Sequence, residues 1–284
     1  MRMGHCVVPA VAVLTALVTG TAASSAAGTA KWTYLALGDS NVYGAPNDCG
    51  HCTTYPTLVA GHLRALGLTV KLINGAQHNK LTSGMLLHEI KTNSWGSTAG
   101  SAPRSNPTGL APRAAIAGAN LITITVGNND LPWLATTDVC HQRYDVTCRS
   151  RILAEYGSHL DGVLTQINKL RAGKPTSVRV TTIYNDVIQG GYTAAATFYK
   201  PPVLRQALGG IRTLIEALNA RICQLAAQHH AKCVDDYHAF NGPHGTRPMP
   251  RGSFTAKYGD LNQSGQNTIA AAMYKVGWSP LSAP

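Results

Sequence analysis

Five short runs of apolar and β-branched residues alternate with longer stretches of helical spacing. That alternation constrains the fold of this chain more than any other feature of it. The runs are residues 33–37 (TYLAL), 69–73 (TVKLI), 121–126 (LITITV), 177–183 (SVRVTTI) and 232–235 (KCVD). The run at 121–126 is the clearest strand, β-branched almost throughout and stopped by Gly127. Between the runs, residues 54–66, 82–90, 150–170 and 203–229 read as helices, and 265–276 as a closing helix. Residues 95–113 read as a loop entering a short helix, and 238–259 as a loop. Strands separated by helices need crossover connections, which make neighbouring strands parallel. Right-handed crossovers then place helices on both faces. The expected fold is α/β: a three-layer α/β/α sandwich around a central, mainly parallel five-stranded sheet. No repeat or linker divides the chain, so residues 28–284 are expected to form one domain. In such sheets ligands bind beyond the carboxyl ends of the strands, which directs attention to the residues that follow each strand.

Residues 1–27 fall outside this pattern. A short segment with Arg2 precedes an apolar stretch at 6–20, interrupted by Pro9 and followed by TAASSAAGTA. This reads as a secretory signal cleaved near Ala27, which predicts an exported, extracellular protein. The chain has 24 Lys and Arg against 13 Asp and Glu, a formal net charge of +11. Such a field is accounted for by solubility alone, and it would also favour anionic cell-wall or lipid surfaces. The basic residues are scattered with no basic run, so no nucleic-acid partner is expected. With 44% hydrophobic residues the chain is not disordered. A monomer is expected.

Cys6 belongs to the signal, and six cysteines remain: Cys49, Cys52, Cys140, Cys148, Cys223 and Cys233. An even count in an exported chain implies disulfides, and local spacing suggests sequential pairs: 49–52, 140–148 and 223–233. The string Cys49-Gly50-His51-Cys52 also matches the C-G-H-C of thiol-disulfide oxidoreductases, an alternative left open here. No second ligand pair supports a zinc site.

The residues that carry chemistry follow the first and third strands. Gly38-Asp39-Ser40-Asn41 ends one, and Gly127-Asn128-Asn129-Asp130 ends the other. Together with Tyr34-Leu35-Ala36-Leu37, these blocks resemble the SGNH/GDSL hydrolase superfamily, particularly its secreted bacterial esterases and lipases with three disulfides. The resemblance implies a flavodoxin-like sandwich and hydrolysis of carboxylic esters of small molecules or polymers, without metal or cofactor. Ser40 would be the nucleophile, forming an acyl intermediate. Its own N–H and the Asn129 amide would donate to the developing oxyanion. Asp39 and Asp130 would brace their loops.

Two further blocks of the family are altered. The third oxyanion donor, usually a glycine after the second strand, falls near Asn79 or Lys80; Asn79 is the candidate, with Gly75 as the alternative. The family's D-x-x-H before the closing helix is replaced, with Asp260 at the histidine position and Lys257 at the aspartate position. An aspartate near its reference pKa of about 3.9 is a weak base toward a serine. His238 and His244, after the fifth strand, are the other candidates, and His78 is a further one. A second reading follows from this replacement: a catalytically impaired protein that binds polysaccharide or lipid on the same fold.

Overall fold

The computed structural model describes residues 31–44, 49, 51–77, 80–96, 109–131, 140, 145–186, 201–247 and 261–282. Five strands form one sheet: β1 Lys31–Gly38, β2 Thr69–Asn74, β3 Leu121–Thr125, β4 Ser177–Thr181 and β5 Lys232–Val234. Their order is β2-β1-β3-β4-β5, and every pairing is parallel. Among the described residues eight helices accompany them: α1 Ser40–Tyr43, α2 Tyr55–Ala65, α3 Ser83–Thr92, α4 Pro112–Gly118, α5 Val146–Leu170, α6 Pro201–Gln228, α7 Asp236–Asn241 and α8 Gln263–Val276. The expected signal segment lies outside the described residues.

Side-chain alternation along the strands divides the core in two. Leu35 and Leu37 of β1 and Ile122 and Ile124 of β3 face α3, α4, α5 and α6, against Leu86, Ile116, Leu160 and Leu214. Tyr34 and Ala36 face the other way with Leu121, against α2, α7 and α8 through Val59, Phe240 and Met273. These are the three layers expected from the sequence. The second layer is the more polar one near the sheet centre. There Tyr34 Oη lies 3.0 Å from Thr123 Oγ1, and Tyr55 Oη lies 2.8 Å from Thr125 Oγ1. Buried hydroxyls tolerate this position because each finds a partner.

Several boundaries differ from the sequence reading, each for a local reason. The helix expected at 150–170 begins at Val146, because the Asp145 carboxylate accepts the Cys148 N–H at 2.8 Å and caps the helix there. The segment read as loop from 238 opens inside α7, where Asp235 caps the helix by accepting His238 N–H at 3.0 Å. The three disulfides pair as expected: Cys49–Cys52, Cys140–Cys148 and Cys223–Cys233. No helix among the described residues is long and apolar enough to cross a membrane.

Candidate active site

The sheet brings the ends of β1 and β3 together. Gly38 is in register with Thr125, and one residue later Asp39 N–H donates to the Thr125 carbonyl at 3.2 Å. This last bond holds the turn that carries Ser40 against the start of the turn that carries Asn129. Only glycine fits at position 38: its φ is +155°, and a Cβ there would stand 2.3 Å from the Thr125 oxygen. Gly127 is constrained in the same way, with φ +130° and a Cβ that would meet Ile183 Cδ1 at 2.7 Å.

Beyond Gly38 the chain enters α1 at Ser40. Asp39, 1% exposed, is its N-cap and accepts the Asn41 N–H at 3.1 Å. That is the bracing role expected of it. Ser40, half-buried, is the first helical residue, so its backbone N–H points out of the helix at the strand-end edge. Asn129 lies half-buried in a 3₁₀ turn at Asn128–Asp130. Its Nδ2 donates to the Leu81 carbonyl at 3.2 Å. A carbonyl can only accept, so the amide must present its NH₂ on this side, and one N–H remains for another acceptor.

Asp130 braces as expected, but against α3 rather than its own turn. Its carboxylate takes the Ser83 N–H at 2.9 and 3.2 Å and the Ser83 hydroxyl at 2.5 Å. Burial pushes its pKa up, while the Ser83 bonds and nearby His159 pull it back down.

Gly75 N–H donates to the Ala36 carbonyl at 2.8 Å, extending the β1–β2 ladder. Asn79, His78 and Asp260 lie outside the described residues. His238 is exposed and pairs through Nδ1 with Asp235 Oδ2 at 2.7 Å. With His244 it lines a cavity of about 450 Å³, together with Thr182, Glu216, Asn219 and Tyr237. Neither Ser40 nor Asn129 lines that cavity. A second cavity, of about 490 Å³, lies beside the end of α1, walled by Tyr43, Cys52, Thr54, Thr57, Leu72 and Asn74. Among the described residues no cluster of His, Cys, Asp or Glu is arranged to hold a metal.

Three residues around the site carry no motif in the sequence. Gln266 of α8 accepts the Tyr55 N–H at 2.7 Å and donates to the Asn41 carbonyl at 2.9 Å, tying α2 and α1 to the closing helix. Tyr55 reaches under the sheet to Thr125. Asp236, 1% exposed, begins α7 at the same sheet edge. Only the Asp235-Asp236 doublet directly after a strand hinted at the last of these.

Residues 36–271 match the model of the GDSL-like lipase/acylhydrolase family. The chain belongs to this family. Its fold also recurs among solved structures. A lipase from a goat rumen metagenome superposes with a TM-score of 0.63 at 19% identity, over 88% of this chain and 100% of that one. An extracellular lipase from Streptomyces rimosus gives 0.56 at 19% identity, over 86% and 99%. A catalytic mutant of an acetylxylan esterase from Geobacillus stearothermophilus gives 0.55 at 16% identity, over 90% and 99%. These identities show the fold that the GDSL-like chain shares with them. No curated protein matches the chain at significant similarity.

Proposed function

We propose that this protein is an exported serine hydrolase of carboxylic esters, acting on acylated carbohydrate or lipid through an acyl-Ser40 intermediate. The observation that carries the reading is the Asp39-to-Thr125 backbone bond, which joins the Ser40 turn to the β3 end where the Asn129 turn begins. Attack by Ser40 Oγ on the ester carbonyl places negative charge on the carbonyl oxygen. The Ser40 N–H and the second Asn129 N–H serve as donors for that charge, with Asn79 as the third. Gly75 is the weaker choice for third donor, because its N–H already serves Ala36. The Asn129 amide is oriented before substrate arrives, since the Leu81 carbonyl fixes its plane. Water then releases the acyl group.

The base is Asp260 in this reading, at the position the family's histidine holds. His238 and His244 rank below it, because the cavity they line includes neither Ser40 nor Asn129. Three disulfides fit export with cleavage near Ala27. The chain's net charge of +11, less the one charge of Arg2 that leaves with the signal, suits substrates presented on anionic cell-wall or lipid surfaces. One observation favours the second reading, a non-catalytic binding protein for polysaccharide or lipid: Asp260 stands in place of the family's histidine.

Short-chain nitrophenyl esters and a fluorophosphonate probe separate the two. The hydrolase labels at Ser40 and turns over ester. Ser40→Ala abolishes both, and Asn129→Ala lowers kcat about 10²–10³-fold. Absence of labelling and turnover in the unaltered protein sinks the esterase reading and leaves the binding protein. A gain of turnover in Asp260→His would then identify the lost base.

A further inference from the structure

A serine, an aspartate and a histidine meet behind the Asn129 turn, on the α3–α5 side of the sheet. The Ser83 hydroxyl lies 2.5 Å from Asp130 Oδ1 and 3.3 Å from His159 Nδ1. The three are not a second nucleophilic centre. Ser83 is 0% exposed, and its single proton goes to the carboxylate rather than to the imidazole. The Ser83 oxygen is therefore the acceptor toward His159, so the imidazole carries a proton on Nδ1. The direction of donation runs from His159 through Ser83 to Asp130. Each bond in such a chain polarises the next.

The chain is built into the packing of two helices. His159 projects from α5 onto the first turn of α3, over Gly84. A Cβ at position 84 would stand 2.9 Å from His159 Cε1 and 3.0 Å from Nδ1, so the ring occupies the space that the missing side chain leaves. On the far side, Asp130 follows Asn129 directly, and Asn129 itself is tied to Leu81, two residues before Ser83. Asp130 also closes its own turn, with its N–H on the Gly127 carbonyl at 3.0 Å. The start of α3 and the Asn129 turn are thus stitched at three points, and His159 anchors the stitching to the long helix α5.

We propose that His159 is a positioning residue for the oxyanion-binding amide: it holds the Ser83 hydroxyl on Asp130 and so fixes the turn that aims Asn129. This rests on the assignment of Asn129 as an oxyanion donor. A donor displaced by a fraction of an ångström stabilises the transition state less while leaving ground-state binding largely intact.

The test uses the full protein with nitrophenyl ester and fluorophosphonate. His159→Leu is expected to lower kcat and the labelling rate about fivefold with KM unchanged. His159→Asn, which offers a side-chain N–H near the Nδ1 position, restores kcat to within about twofold of the unaltered protein. Ser83→Ala, which adds no bulk, reproduces the His159→Leu loss. The decisive comparison is with Asn129→Ala. In that background His159→Leu is expected to cost nothing further, because the group it aims is gone. A kcat unchanged in both His159→Leu and Ser83→Ala overturns the proposal, and so does a fivefold loss that persists in the Asn129→Ala background. An unaltered protein that fails to label at Ser40 overturns the hydrolase reading itself, which is a separate outcome.

Discussion

Asp236 is a buried carboxyl at odds with its surroundings. It is 1% exposed, and its Oδ1 has no hydrogen-bond partner among the described residues. Burial, and then the neighbouring charge of Asp235, push its pKa well above the usual carboxylate range. The direction of the linkage follows. Unfolded, this carboxyl releases its proton near pH 3.9, whereas folded it keeps the proton to higher pH. Stability contributed by Asp236 is therefore complete below that value and declines as pH rises toward the folded pKa. Asp236→Asn removes the titration. Thermal melts are expected to show the variant more stable than the unaltered protein at about pH 8, with the difference shrinking toward about pH 3.5. A variant less stable at the higher pH would show instead that the carboxylate is ionised and paired. Ser40 and Asn129 could be named as candidates from the sequence because each sits in a short block directly after a strand-like run. Asp236, Ser83 and His159 were not, because burial and partnership belong to the folded surroundings and leave no local pattern.

At the scale of elements, the closing helix α8 does more than cover the sheet. The Tyr55 N–H opens α2, and Thr54 makes no side-chain cap bond to that helix. Gln266 supplies the missing acceptor from 211 residues away and, with its amide nitrogen, holds the Asn41 carbonyl in the Ser40 helix. Gln266 is itself 1% exposed. Gln266→Leu leaves two buried backbone groups without these partners. The expected cost is about 2–4 kcal/mol, read as a lower urea midpoint with an unchanged m value. A loss below about 0.5 kcal/mol would mean that water replaces the amide. The helical spacing of residues 265–276 predicted α8 and its apolar face, seen in Ile269 and Met273. Periodicity says nothing about a polar residue at the rim of that face, so the role of Gln266 was invisible before the fold. The early start of α5 and the existence of α7 were missed for a related reason. Both are set by capping aspartates, Asp145 and Asp235, whose side chains act on N–H groups three residues ahead.

Over the whole molecule, covalent and noncovalent constraints work at different ranges. The disulfides span sequence separations of 3, 8 and 10, so none joins distant parts of the chain. Loops this short give about 2–3 kcal/mol each on the chain-entropy estimate. Reduction is therefore expected to lower the denaturation midpoint while the folded protein keeps its far-ultraviolet circular dichroism at 25 °C. Collapse on reduction would mean that the bridges hold the sheet together. Long-range order comes instead from the sheet and from groups such as Arg179 in β4. Its guanidinium, 1% exposed as a residue, donates to the carbonyls of Gly277 and Ser279 and fastens the chain beyond α8 under the sheet. Burial lowers its pKa to about 10.

Local patterns alone determined the alternation of strands and helices, the parallel sheet it demands and the two blocks that resemble the family's, and they favoured the pairing of nearby cysteines. Each depends on residues within a few positions of one another, or on a connection rule that any such chain must obey. The strand order, the Asp39-to-Thr125 contact, the reach of Gln266, the His159–Ser83–Asp130 chain and the charge state of Asp236 were decided only in three dimensions. A hydrogen bond across 211 residues and the removal of water from a carboxyl both require the rest of the molecule to be in place.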